Sequence, residues 1–254
     1  MKRIKKYIYG TIVLAFWIAL WYIAALAVGN PLIFPSPHET AVRLCSLVLL
    51  PEFWEDTSLS LLRIIIGIFI AIPSSFIFAA ICSWCKFAKK FFEPAVLLMK
   101  STPVVSFILI AIFIFERELI PSVITFIMIF PVLYRNICEG ITQAPQELLE
   151  MAKVFKLSHF LKIRNIYLPS VMPYFYSALA TSVGLAIKAG IAAEVIAYIP
   201  DSIGKRLSDA KSYMEPADLL AWTAVIIILS LLLEKGVTCV ISLLERRKRN
   251  DSDQ

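Results

Sequence analysis

Long apolar runs alternate with short polar segments along almost the whole chain. A helix needs about 20 apolar residues to cross a hydrocarbon layer. The pattern yields six such runs, at 8–28, 59–84, 94–115, 119–138, 170–193 and 217–243. Pro73, Pro103, Pro131 and Pro173 lie inside them, where membrane helices tolerate proline as a kink. The first run follows MKRIKK and ends near Ala25-Leu26-Ala27, which also suits a secretory signal. Its apolar stretch exceeds the roughly 7–15 residues of a signal core, which favours a retained helix. The pattern therefore predicts one all-α polytopic membrane domain over residues 1–254 with six transmembrane helices. Its last five residues, NDSDQ, read as a disordered tail.

The polar segments are not alike. Residues 147–169, ELLEMAKVFKLSHFLKIRNIYLP, are charged and amphipathic although they separate two apolar runs. Pro145 suits a helix start, and Glu147 and Glu150 lie where the helix dipole favours acids. Leu148, Ala152 and Phe155 share one face by their spacing. Ser158 is placed to cap a second short helix through Phe160, Leu161 and Ile163, which Pro169 ends before the next span. Such a bent pair is either an interfacial helix on lipid headgroups or a knob that docks in a partner's groove. Earlier, FPSP precedes a short amphipathic helix at 38–49. Pro35 and Pro37 hold the chain extended, Ser36 suits a turn, and His38 reads as a solvated residue.

Composition agrees with this pattern. The chain is 59% hydrophobic and 17% charged, whereas soluble domains carry about 25% charged residues. The net charge is +6, with much of it in MKRIKK and ERRKR at the two ends. These charges flank apolar runs, so they set topology rather than mark nucleic-acid binding. With the N-terminus inside, the segments holding Lys86, Lys89 and Lys90 and holding Lys153, Lys156, Lys162 and Arg164 also lie inside, as does the C-terminus. The opposite loops, 29–58, 116–118 and 199–216, carry fewer net positive charges. The five cysteines are scattered; Cys82 and Cys85 form C-S-W-C without a βαβ context, so they read as small apolar residues at a membrane boundary. His38 and His159 are the two histidines, too few for a zinc-type ligand set, so no metal site is expected.

At residues 145–175 the chain resembles the permease subunits of bacterial ATP-binding-cassette importers. Their cytoplasmic loop carries E-A-A, then Gly, then L-P. Glu150-Met151-Ala152 stands at the triplet and Leu168-Pro169 at the close. Met151 departs from the usual small residue, and Lys156 stands where the family has the glycine that permits the inter-helix turn. FPSP, SLLRIIIGIFIAIPSSF, MKSTPVVSFILI and GIAAEVIAYIPDSIGKRL are similar to the nitrate/sulfonate/taurine branch. The resemblance implies a coupling-helix loop between helices 4 and 5, with Glu147, Glu150, Met151, Ala152, Phe155, Lys156, Leu157, Leu168 and Pro169 coupling the permease to an ATPase. It also implies a pair of ATPase subunits that bind ATP-Mg, an extracytoplasmic solute-binding protein, and a second permease copy in a homodimer. The location it implies is the bacterial inner membrane, multi-pass, with both termini cytoplasmic.

The chain has no G-x-x-x-x-G-K-[ST], H-E-x-x-H or G-x-S-x-G. It cannot build a P-loop, and no cofactor or covalent chemistry is expected of it. Ionisable residues at membrane depth mark pathways or partners. Lys100, beside Pro103, Lys188 and Glu194 are the candidates for a translocation pathway. Lys188 either attracts an anion there or pairs with a carboxylate or carbonyl of another helix. At six residues apart, Lys188 and Glu194 point about 240° from each other on a helix and are not neighbours. Arg63 can snorkel, Glu234 and Lys235 read as a pair or as snorkelling groups, and Phe16, Trp17 and Trp21 as lipid-facing anchors. Gly184 and Gly190 permit close helix approach at a dimer axis. The resemblance, together with Lys100 and Lys188, implies passage of a small solute, an anion such as a sulfonate, taurine or nitrate, and related members of the family leave a vitamin precursor as the alternative. An ion-gradient-driven transporter is the rival, but the chain lacks the inverted repeats common there.

Overall fold

The computed structural model describes the backbone of residues 2–252 and the side chains of Tyr9 and residues 11–243. Among these residues the structure is helical throughout. In chain order the helices are α1 (Lys2–Val28), α2 (Pro37–Val48), α3 (Pro51–Trp84), α4 (Lys86–Ser101), α5 (Val104–Ile114), α6 (Ile120–Thr142), α7 (Gln146–Val154), α8 (His159–Lys162), α9 (Leu168–Ala197), α10 (Ile203–Ser212) and α11 (Pro216–Ser252). A 3₁₀ turn, Arg117–Leu119, leads into α6, and a π turn, Ile163–Tyr167, joins α8 to α9.

Among the described residues, five helical segments are long and apolar enough to span a membrane: Thr11–Val28, Pro51–Trp84, Arg117–Thr142, His159–Ala197 and Pro216–Leu243. The sixth is the pair α4 and α5, and here the expected kink is a break, because the two axes turn by 107°. Pro103 has no N–H to donate, and its ring drives the preceding residue out of the helical region. Thr102 accordingly sits at ψ 134° and Pro103 at ψ 136°. Pro73, Pro131 and Pro173 remain inside helices, as expected. Pro169 does not end a helix. It occupies the first turn of α9, where no N–H is required, so helix continues from His159 to Ala197.

The core forms where α6 lies between α3 and α9. Of the α6 span 61% is buried inside the protein, against 6% of the spans in α1 and α11. Ile64, Ile124, Ile129 and Leu133 are fully buried there. Small residues set the spacing: a Cβ on Gly190 would lie 2.5 Å from Ile64 Cγ1. The close approach of Gly190 is thus to α3 within the chain, not to a dimer axis. The outer face of α1 keeps Phe16 and Trp17 exposed, but Trp21 turns inward and its Nε1 donates to Pro35 O at 3.1 Å. Residues 250–252 of the expected disordered tail continue α11, and 253–254 lie outside the described residues. The basic side chains at both ends of the chain also lie outside them.

Candidate functional site

The loop between α6 and α9 is built as two short helices on a small anchor. Ala152 is fully buried and packs with Ala144 and Ile166, flanked by Leu149, Leu157 and Tyr167. The face turned to the body is therefore Leu149 and Ala152. Leu148 and Phe155, grouped with Ala152 by spacing, point outward. Ala152 must be small to sit there, whereas Met151 is 48% exposed and free to be large.

Lys156 makes the turn without glycine. Its φ is 51°, in the left-handed region. Leu157 N–H donates to Ala152 O at 2.9 Å and Lys156 N–H to Lys153 O at 3.1 Å. These two bonds form a Schellman C-cap, with Lys156 in the position glycine usually fills. Ser158 Oγ then accepts from Leu161 N–H and caps α8, as its position predicted. Glu147 and Glu150 are exposed on α7. The outcome is an apolar surface on a charged segment: Met151, Val154, Phe155, Phe160 and Leu161 are all exposed, Val154 by 79%. Leu168 is exposed at the start of α9, and Pro169 is half-buried beside it.

The four pathway candidates do not converge. Lys188 is exposed on α9 and makes no ion pair among the described residues. Pro103 lies at the α4–α5 break. Lys100 lines a cavity of about 270 Å³ between α4 and α6. Glu194 is fully buried, in a knot at the end of the bundle opposite the loop.

That knot ties four elements. Glu194 Oε2 accepts from Ser60 Oγ at 2.8 Å and from Gly204 N–H at 3.1 Å. Its Oε1 has no hydrogen bond, and Arg63 Nη1 stands 3.8 Å from it. Arg63 donates to Asp201 O, and its own carbonyl accepts from Ser122 Oγ. Arg63 thus braces a turn rather than snorkelling. Residues 199–216, a loop by pattern, contain α10. It is capped by Ser202, whose Oγ accepts from Lys205 N–H, and held by Arg206 to Asp56. Arg43 of α2 pairs with Asp218 of α11, which raises the Arg43 pKa. A hydrogen bond to Asp209 likewise holds the Tyr198 phenol above its ordinary range. At the start of α2, Ser36 and Glu39 form a capping box. The Ser36 backbone N–H, then its hydroxyl, donate to Glu39 and hold that carboxyl below its usual range. Glu234 and Lys235 are both exposed and make no ion pair among the described residues.

Arg135 and Glu139 of α6 also face the α4–α6 cavity. An arginine inside an apolar run is itself a signal of a pathway or partner, but its companions Lys89 and Glu93 lie on a separate helix.

Residues 60–250 match the family described as "Binding-protein-dependent transport system inner membrane component". The nitrate import permease protein NrtB of Synechococcus elongatus is 25% identical over 206 residues, 76% of this chain and 73% of its own length. The taurine transport system permease protein TauC of Escherichia coli is 22% identical over 223 residues, 85% and 81% of the two chains. Among solved structures, an amino acid ABC transporter crystallised with histidines superposes with a TM-score of 0.58 at 14% identity. That match covers 78% of this chain and 94% of the other and shares its fold.

Proposed function

The chain belongs to the family of binding-protein-dependent transport system inner membrane components, and on that premise we propose that it is the permease subunit of an ATP-driven importer. It forms the pathway for a small anion, of the nitrate or sulfonate class named for its relatives. An extracytoplasmic binding protein delivers the solute, two ATPase subunits bind ATP-Mg and drive the cycle, and a second copy of the chain completes the pathway. Both termini and the α7–α8 loop lie in the cytoplasm.

The observation that carries this reading is the α7–α8 surface. It exposes Met151, Val154, Phe155 and Phe160 while anchoring itself through Ala152. An exposed apolar helix face on a rigid anchor is suited to a partner's groove. Because α8 runs without interruption into α9, a push on the loop is transmitted along one helix to the core, as a rigid-body switch requires. An ion-gradient carrier would leave that surface without an occupant.

The test is recovery of the tagged chain from its native membrane in mild detergent, with partners identified by mass spectrometry. A P-loop ATPase should accompany the native chain and be lost with Glu150→Ala or Phe155→Ala. Failure to recover any ATPase would make the loop a lipid-surface helix and refute the proposal.

A further inference from the structure

The cavity between α4 and α6 has a composition unlike the rest of the span region. Lys89, Glu93 and Lys100 line it from α4, and Arg135, Cys138 and Glu139 from α6. The α4 positions recur at four and seven residues and so share one face. On α6, Arg135 lies seven residues before the end of the helix at Thr142, about 10 Å by helical rise. The cavity therefore sits at the end of the bundle that carries the α7–α8 loop.

Its charges are not paired with one another. The described ion pairs are Arg43–Asp218, Arg63–Glu194 and Arg206–Asp56, all at the opposite end. Glu139 Oε1 is engaged instead by Gln143 Nε2 at 2.9 Å. Three cations, Lys89, Lys100 and Arg135, thus face the cavity together with two carboxylates, Glu93 and Glu139. The two carboxylates leave one positive charge uncompensated among the lining residues, and a cation near a low-dielectric region calls for a counter-charge.

We propose that this cavity is an oxyanion site, with Arg135 as its principal ligand and Lys89 and Lys100 as supporting cations. Arginine suits the task because its planar fork can donate two parallel N–H bonds to a nitrate, sulfonate or phosphate group. The occupant is either a small free oxyanion or the headgroup of an anionic phospholipid. Its role as an inner waypoint for the transported anion rests on the permease reading above, whereas the binding itself does not. Arg135, Lys100 and Glu139 are exposed, so neutralising them strands no buried charge.

Cys138 supplies the reporter, since it lines the same cavity. The full chain, with the exposed Cys45, Cys85 and Cys239 replaced by serine, is placed in nanodiscs. Alkylation of Cys138 by neutral N-ethylmaleimide is followed by mass spectrometry, with nitrate or ethanesulfonate titrated against gluconate at constant ionic strength. The discs hold phosphatidylcholine alone or with phosphatidylglycerol. Saturable protection by nitrate or ethanesulfonate in phosphatidylcholine supports a free-anion site. Protection by phosphatidylglycerol alone supports the same site with a headgroup in it. In either case Arg135→Gln should weaken protection about tenfold, the loss of one charge-assisted contact, and Glu139→Gln should strengthen it. Absence of protection by every probe, or protection unchanged by Arg135→Gln, overturns the proposal. ATPase recovery reads the α7–α8 loop and not this cavity, so a failed protection assay beside a successful recovery removes the site and leaves the permease reading standing.

Discussion

The two ends of the bundle are held by different physics. At the α10 end, polar and charged groups from α2, α3, α9, α10 and α11 interlock, and several are buried: Asp56, Ser60, Ser202 and Glu194 are each no more than 3% exposed. At the loop end, α7 and α8 rest on three buried residues and present their larger apolar side chains outward. Buried polar networks are stabilising only when nearly every member is satisfied. The first end is therefore sensitive to single changes. An exposed apolar face contributes little to the isolated chain. The second end should tolerate change in stability and lose it in partner recognition.

The largest effect is expected at Gly204. A Cβ there would fall 2.2 Å from Glu194 Cβ and 2.5 Å from Val195 N. Backbone cannot yield as a side chain does, so Gly204→Ala should cost about 3 kcal/mol in thermal unfolding in detergent. A neutral result would mean that α10 docks more loosely than its hydrogen bonds indicate. Arg206→Ala comes next. It strands Asp56, whose side chain is 4% exposed, at about 2–3 kcal/mol. Arg43→Ala removes an arginine of similar exposure, but Asp218 is 14% exposed and can recover water, so about 1 kcal/mol is expected. Equal costs for the two arginines would show that partner burial does not govern this end. At the loop, Phe155→Ala should change unfolding by no more than about 0.5 kcal/mol while ATPase retention drops about tenfold or more. Loss of stability together with retention would mean that Phe155 packs rather than docks.

The elements legible in the sequence are those fixed by local chemistry. Apolar run length marked the long helices, and Ser158 announced its cap, whereas Ser36, read as a turn residue, caps α2. What escaped depends on contacts between distant residues. Ser60 and Glu194 are 134 positions apart, and nothing in the spacing of Glu194 shows that a glycine N–H from α10 will meet its carboxyl. The same holds for Arg135, whose neighbours in the cavity lie on α4. The break at Pro103 had a local cause but an extent that local chemistry does not set: Pro73, Pro131 and Pro173 stay in continuous helix. The amphipathic pattern marked the loop as a separate helical segment, but Leu148, Ala152 and Phe155, which share a face by spacing, part company: Ala152 packs inward while the other two point outward, because period alone cannot tell which stripe meets a neighbour.

The smallest effect, and the one that separates local strain from partner use, is at Lys156. A non-glycine residue in the left-handed region costs about 1–2 kcal/mol, and glycine there returns about 0.5–1 kcal/mol as extra freedom in the unfolded chain. Lys156→Gly should therefore stabilise the α7–α8 turn by about 0.5 kcal/mol, the difference of those two effects. Hydrogen exchange at the Lys156 and Leu157 amides, which donate to Lys153 O and Ala152 O, should slow about twofold, since 1.4 kcal/mol is a factor of ten. Faster exchange would show that the lysine side chain holds the turn by a contact of its own. If exchange slows but ATPase retention falls, the lysine is kept for its charge toward the partner, and the turn tolerates strain because the docking surface needs that cation.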